Sequence, residues 1–142
     1  MKDPRIEEIL KLRNFKEDLS KVLKCSEDEI SSSKQDILDG KKIVYFYGNL
    51  DLKELKSVEN LELPKIINGN LNLSGLNNVE GLVFPKTING NLWLSKVVNV
   101  DSLILPKYVG NSVFLNRLTS VKGVVLPSEI NGDLDLRSLL ST

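Results

Sequence analysis

The chain has 142 residues, nineteen of them basic and nineteen acidic, and residues 1–42 and 43–142 balance separately with ten and nine of each sign. No basic bias marks it for nucleic acid. Histidine is absent and Cys25 is the only cysteine. The commonest general base and zinc ligand are therefore missing and no internal disulfide can form, which leaves acid–base chemistry to carboxylates, Lys and Tyr.

The first residues, MKDPRIEEIL, carry charges where a secretion signal needs an apolar core, and no apolar run approaches the length of a membrane span. The expectation is a soluble protein of the cytoplasm, where Cys25 is an incidental or buried thiol and the Asn72-Leu73-Ser74 sequon meets no glycosylation route. Residues 3–24 read as one helix. Asp3 suits the N-cap, Pro4 the first helical position, and Glu7 and Glu8 the first turn. Ile6, Ile9, Leu10, Phe15, Leu19, Val22 and Leu23 then form one apolar stripe. Ser26-Glu27-Asp28-Glu29 has capping-box form and starts a second, short helix, and Ser31 to Gly40 reads as a linker before a strand at Ile43 to Tyr47. Residues 1–42 are thus expected to be a helical cap and linker, with the stripe closing the open end of the repeats that begin at Ile43.

Residues 43–142 are one unit written five times. Pro64, Pro85, Pro106 and Pro127 stand 21 residues apart. The same offset links Asn49-Leu50-Asp51-Leu52 to Asn70-Leu71-Asn72-Leu73, Asn91-Leu92-Trp93-Leu94, Ser112-Val113-Phe114-Leu115 and Asp133-Leu134-Asp135-Leu136. A fixed period without insertions is the signature of a solenoid, whose turns bury their apolar faces against one another. The columns Leu50/Leu71/Leu92/Val113/Leu134 and Leu52/Leu73/Leu94/Leu115/Leu136 lie two positions apart, which is strand periodicity. Five further apolar columns complete the inward set, among them Val58/Val79/Val100/Val121 and Leu63/Phe84/Leu105/Leu126. Each unit reads as a strand (NLxL), a short bend, a second strand (VxxLxLP) and a corner. Asn68-Gly69, Asn89-Gly90 and Asn131-Gly132 supply the positive backbone dihedral of that corner, and the reversed Gly110-Asn111 should bend differently. The fold class predicted is mainly β: a five-turn β-solenoid with an N-terminal α-helical cap. The fifth turn stops at Thr142, without its second strand.

The run LTSVKGVVLPSEI, residues 118–130, resembles the units of bacterial leucine-rich repeats of the BspA-like type, which also place an L-x-x-V turn before an apolar-Pro segment. The resemblance extends over about two thirds of the chain. It implies a binding surface and no particular chemistry. The 21-residue period and the added G-x-L-x-L strand depart from that pattern, so a two-sided β-solenoid and a horseshoe with helical backs both stay open.

Candidate site residues come from the outward positions. Between the two inward leucines stand Asp51, Asn72, Trp93, Phe114 and Asp135, which places the two aromatics side by side on the outer surface. Such a pair either stabilises the sheet under a covering segment or forms a contact hot spot, with Lys96 and Arg117 as its polar rim. Lys65, Lys86 and Lys107 stack at a second corner, as solvated lysines or as a dock for an acidic surface. Asp133 and Asp135 share one face and read as charges that protect an edge strand. No phosphate loop, metal-ligand set or catalytic triad is present, and neither a cofactor nor a metal is expected. The function expected is non-catalytic binding of a protein partner through the outward face. Two alternatives stay beside it: a small inhibitor, encoded by a phage or other mobile element and aimed at a host defence nuclease of the CRISPR type, and a structural piece that pairs with another copy through its last turn.

Overall fold

A computed structural model of the protein describes residues 3–12, 15–98 and 100–141. The repeats form a β-solenoid of about four turns. The Leu-x-Leu segments become β3 (Leu50–Asp51), β5 (Leu71–Asn72), β7 (Leu92–Trp93), β10 (Val113–Phe114) and β13 (Leu134–Asp135), paired in parallel with a register offset of 21 residues. The residues after the four prolines form β4 (Ile66–Asn68), β6 (Thr87–Ile88), β9 (Tyr108–Val109) and β12 (Glu129–Ile130), and with the equivalent β2 (Tyr45–Tyr47), which follows Ile43, they make a second parallel sheet. A strand from outside the repeats, β1 (Ile30–Ser31), pairs with β2 and extends this sheet by one.

The sequence places the second strand before each proline, and the structure places it after. Strand geometry before the proline is confined to β8 (Leu103–Ile104) and β11 (Val124–Val125). In the earlier turns that stretch opens with a tight turn, closed by the Leu61 N–H to the Val58 carbonyl and the Leu82 N–H to the Val79 carbonyl. It ends at a proline that has no N–H for a ladder. The cross-section therefore has three sides rather than two, one of them largely irregular. No helix occurs between residues 43 and 136 among the described residues, so the horseshoe with helical backs is not what this chain forms.

The inward columns behave as periodicity requires. Leu50, Leu71, Leu92 and Val113 are fully buried, as are Leu73, Leu94, Leu115, Ile67 and Ile88. The pattern fails at the last turn, where Val121 is 46% and Leu126 44% exposed because no further turn of the described chain covers them.

Corners rest on a ladder of side chains. The Asn49 Oδ1 accepts the backbone N–H of Asn70 (2.9 Å), that of Asn70 accepts from Asn91 (2.7 Å), and that of Asn91 accepts from Ser112 (2.9 Å). The Ser112 Oγ continues it by accepting from the Asp133 N–H at 3.0 Å. Glycine makes room for this packing. Gly69 does adopt a positive φ (+154°), and a Cβ there would strike the Gly48 carbonyl. At Gly90, by contrast, φ is not positive; a Cβ would collide with the Asn70 amide, which is a ladder member. The reversed Gly110-Asn111 does not change the path. Gly90, Asn111 and Gly132 each donate to the carbonyl one turn before them.

The N-terminal region also differs from the sequence expectation. The single helix over 3–24 is two, α1 (Pro4–Ile9) and α2 (Phe15–Leu23), separated by a turn beginning at Leu10. Asp3 does cap α1, its Oδ1 accepting the Arg5 N–H at 2.9 Å. The capping-box segment makes one 3-10 turn, Glu27–Glu29, with the Ser26 N–H donating to the Glu29 carboxylate at 3.0 Å. The two helices pack on the outer side of the second sheet. There Leu19 and Phe15 meet Tyr45, Tyr47 and Ile66, and Phe15 lies edge-on to Tyr47 with ring centroids 4.9 Å apart. The expected linker 31–40 is structured: it holds part of β1 and a third helix, α3 (Lys34–Leu38), which inserts Ile37 into the solenoid core at 1% exposure.

Leu92→Ala is expected to lower unfolding free energy by about 2–5 kcal/mol, and Val121→Ala by no more than about 0.5 kcal/mol, measured by urea titration. Asn70→Ala removes one ladder acceptor and leaves the Asn91 N–H without it. Its expected cost is about 1–3 kcal/mol in the same assay.

Candidate partner-binding face

The outward column of the Leu-x-Leu sheet has a local structural role wherever an Asp or Asn occupies it. Asp51, Asn72 and Asp135 each accept, through a side-chain oxygen, the backbone N–H two residues ahead, at 3.1, 3.0 and 3.2 Å. This steadies the bend that comes after each strand. Trp93 and Phe114 stand in the same column and can make no such bond. Their position is dictated by the register that pairs Trp93 with Asn72 on one side and with Phe114 on the other.

The two rings lie nearly parallel, 7° apart, with centroids separated by 5.8 Å. Both are half-buried, and neither belongs to the solenoid core or to the cluster beneath α1 and α2. The helices, which could have covered them, sit on the other sheet instead. Lys96 and Arg117 come next, in the adjacent turns, each closed by a bond three residues back: Val97 N–H to Leu94, and Leu118 N–H to Leu115. Both are exposed and, among the described residues, have no ion-pair partner. The cations at the two ends of the face differ: Lys53 lies 3.7 Å from Asp51, and Arg137 lies 2.6 Å from Asp135. The face is thus two aromatics and two unneutralised cations between two internally neutralised ends.

Hydrogen bonds from Arg137 hold the Asp135 carboxyl below the usual carboxylate range. It is an engaged ion pair, while Asp133 is exposed beside it. Among the described residues, no group of three His, Cys, Asp or Glu is arranged to hold a metal ion.

The lysine column is elsewhere. Lys65, Lys86 and Lys107 are exposed at the starts of strands in the second sheet, so they do not join Trp93. Lys65 and Lys86 line a groove of about 380 Å³ together with Lys24, Lys42 and Cys25, whereas Lys107 does not reach it. Burial, and secondarily the Glu29 carboxylate, push the half-buried Cys25 thiol up from its ordinary value. That keeps it protonated and weakly nucleophilic near neutral pH.

One polar group carries no signal in the sequence. Tyr45 is fully buried, and its hydroxyl has no hydrogen-bond partner. Burial and the Glu7 carboxylate push its pKa up to about 12, and the Asn68 amide, which approaches without completing a proper hydrogen bond, offsets a little of this. In the sequence Tyr45 is one letter of an aromatic strand, and nothing in YFY says which ring turns toward the helices.

No family model, no curated protein and no solved structure matches the chain. The likeness to BspA-like repeats therefore rests on the repeat unit alone. Among the described residues no helix is long and apolar enough to cross a membrane.

Because the folded pKa of Tyr45 lies above its ordinary value near 10, the folded state holds that proton more tightly. The contribution to stability is complete below about pH 10 and disappears as pH rises through about 12. Tyr45→Phe is expected to flatten the fall in unfolding free energy across that interval, read by denaturant titration at stepped pH.

Proposed function

We propose that the protein binds another protein, without catalysis, through the strand face that carries Trp93 and Phe114. The observation behind this reading is the loss of a local hydrogen bond at these two positions. Three of the five copies use the column to steady their own backbone, and two adjacent copies replace that bond with half-buried rings that pack on no core. Aromatics ringed by cations have the composition of interface centres. Short strands stacked in a fixed register keep such a patch preorganised, which reduces the ordering cost of association.

In this proposal Lys96 and Arg117 meet acidic groups of the partner at the rim. The array counts as five turns, the last one partial, and residues 1–42 act as its cap: β1 covers the first edge of the second sheet and Ile37 plugs the core. The setting is the cytoplasm, in keeping with the lone, weakly nucleophilic Cys25. A second reading, pairing of two copies through the last turn, draws on the exposure of Val121, Val125 and Leu126 together. A strict monomer by light scattering at high protein concentration overturns that second reading.

The test of the first is affinity capture from the source cells with Trp93→Ala/Phe114→Ala beside the unaltered protein and Lys65→Ala/Lys86→Ala. The expected outcome is a captured partner that the aromatic double variant loses by about thirtyfold or more in affinity, roughly 2 kcal/mol, while its circular dichroism is unchanged. Equal capture by all three proteins overturns the assignment of the face.

A further inference from the structure

The fold brings two lysines of the N-terminal region to the head of the lysine column. Lys24 and Lys42 line one groove with Lys65 and Lys86, and Leu23, Val44 and Ile66 line it too. The four lysines are exposed and the three apolar residues half-buried, which gives an apolar floor under a charged rim. The chain as a whole is neutral, yet this groove sets four ammonium groups against one carboxylate, that of Glu29. Glu29 is already engaged, accepting the Ser26 N–H at 3.0 Å and lying 3.7 Å from Lys42. Among the described residues, Lys24, Lys65 and Lys86 have no ion-pair partner.

The register concentrates this charge. The Lys86 N–H bonds to the Lys65 carbonyl at 2.9 Å, so the two residues stand one turn apart. Neighbouring strands lie about 4.8 Å from each other, and like charges placed side by side across them destabilise a sheet. Lys24 adds an independent sign. It follows α2 with a positive φ of 55°, where the Cys25 N–H bonds back to the Ser20 carbonyl at 3.0 Å. Glycine or asparagine takes such a left-handed position most easily, and the other non-glycine residue with positive φ among those described is Asn60. The helix end does not need the charge, because Lys21 already stands in the last turn of α2. Strain is thus kept at Lys24 for a side chain that lines the groove.

We propose that this groove binds a compact anion carrying two or more phosphate groups. Its volume of about 380 Å³ suits a small ligand. Each ammonium is a point charge with three donors, able to meet phosphate oxygens from several directions. No arginine lines the groove to form a fork on a planar carboxylate. No aromatic side chain lines it either, so a nucleic-acid strand would find no platform on which to stack its bases. The site lies beside the second sheet, apart from the Trp93 face, and stands without it.

The experiment titrates the full chain with sodium tripolyphosphate by calorimetry. Saturable binding is expected, weakening between about 20 and 200 mM salt. Lys65→Gln/Lys86→Gln should lose about tenfold or more in affinity, whereas Lys56→Gln/Lys122→Gln, which removes the same charge from outside the groove, should lose less than about twofold. Lys24→Gly separates binding from folding: it relieves the backbone strain, so the melting temperature should not fall, while tripolyphosphate affinity drops by about fivefold or more. Equal losses in the two double variants overturn the proposal, as does a Lys24→Gly protein that binds as tightly as the parent. Sulfate bound as well as tripolyphosphate, the behaviour of loose counterions, overturns it. So does a thymidine oligonucleotide bound more tightly than tripolyphosphate, or the absence of any saturable signal.

Discussion

Everything in this molecule depends on each turn being hydrogen-bonded to the turn 21 residues away. The strands are two or three residues long and could not persist alone. They persist because the repeat strands pair in parallel in one register, and the two main sheets meet at a corner where a side chain bonds across the same interval. That constraint decides the residues. Glycine is required at Gly69 and Gly90 because neighbouring turns approach too closely there for a Cβ, and asparagine recurs at 49, 70 and 91 because its amide oxygen spans the gap.

Much of this was legible in the sequence, since the period and the inward columns come from repetition alone. The position of the second strand was not. An apolar stretch ending in proline has the composition of a strand, but whether it becomes one depends on the neighbouring turn offering bonding groups at the same height, and periodicity says nothing of that. The Ser31 to Gly40 stretch was missed for a related reason. Polar residues dominate it, and the one side chain that matters, Ile37, acquires meaning only when the open core beside it exists.

The candidate site residues divide in the same way. Trp93 and Phe114 stood out because column-wise comparison exposes any position that breaks its own pattern. What the column ordinarily does was hidden until Asp51, Asn72 and Asp135 were seen bonding to the backbone ahead of them, although the spacing of an Asp or Asn two residues before each bend carries that signal. Lys96 and Arg117 sit in the bends that follow the two aromatics, and the lysine column stands beside the second sheet. Tyr45 could not have been found by any pattern, because what sets it apart is a buried hydroxyl without a completed hydrogen bond.

The cross-turn ladder also limits how the gene can change. A single inserted or deleted codon within a repeat would break the 21-residue interval across that one turn and pull its amides from the oxygens one turn away, while later turns keep their own interval. Duplication or loss of a complete 21-residue unit leaves each contact intact and only alters the length of the rod. Viable length variants should therefore differ by whole turns.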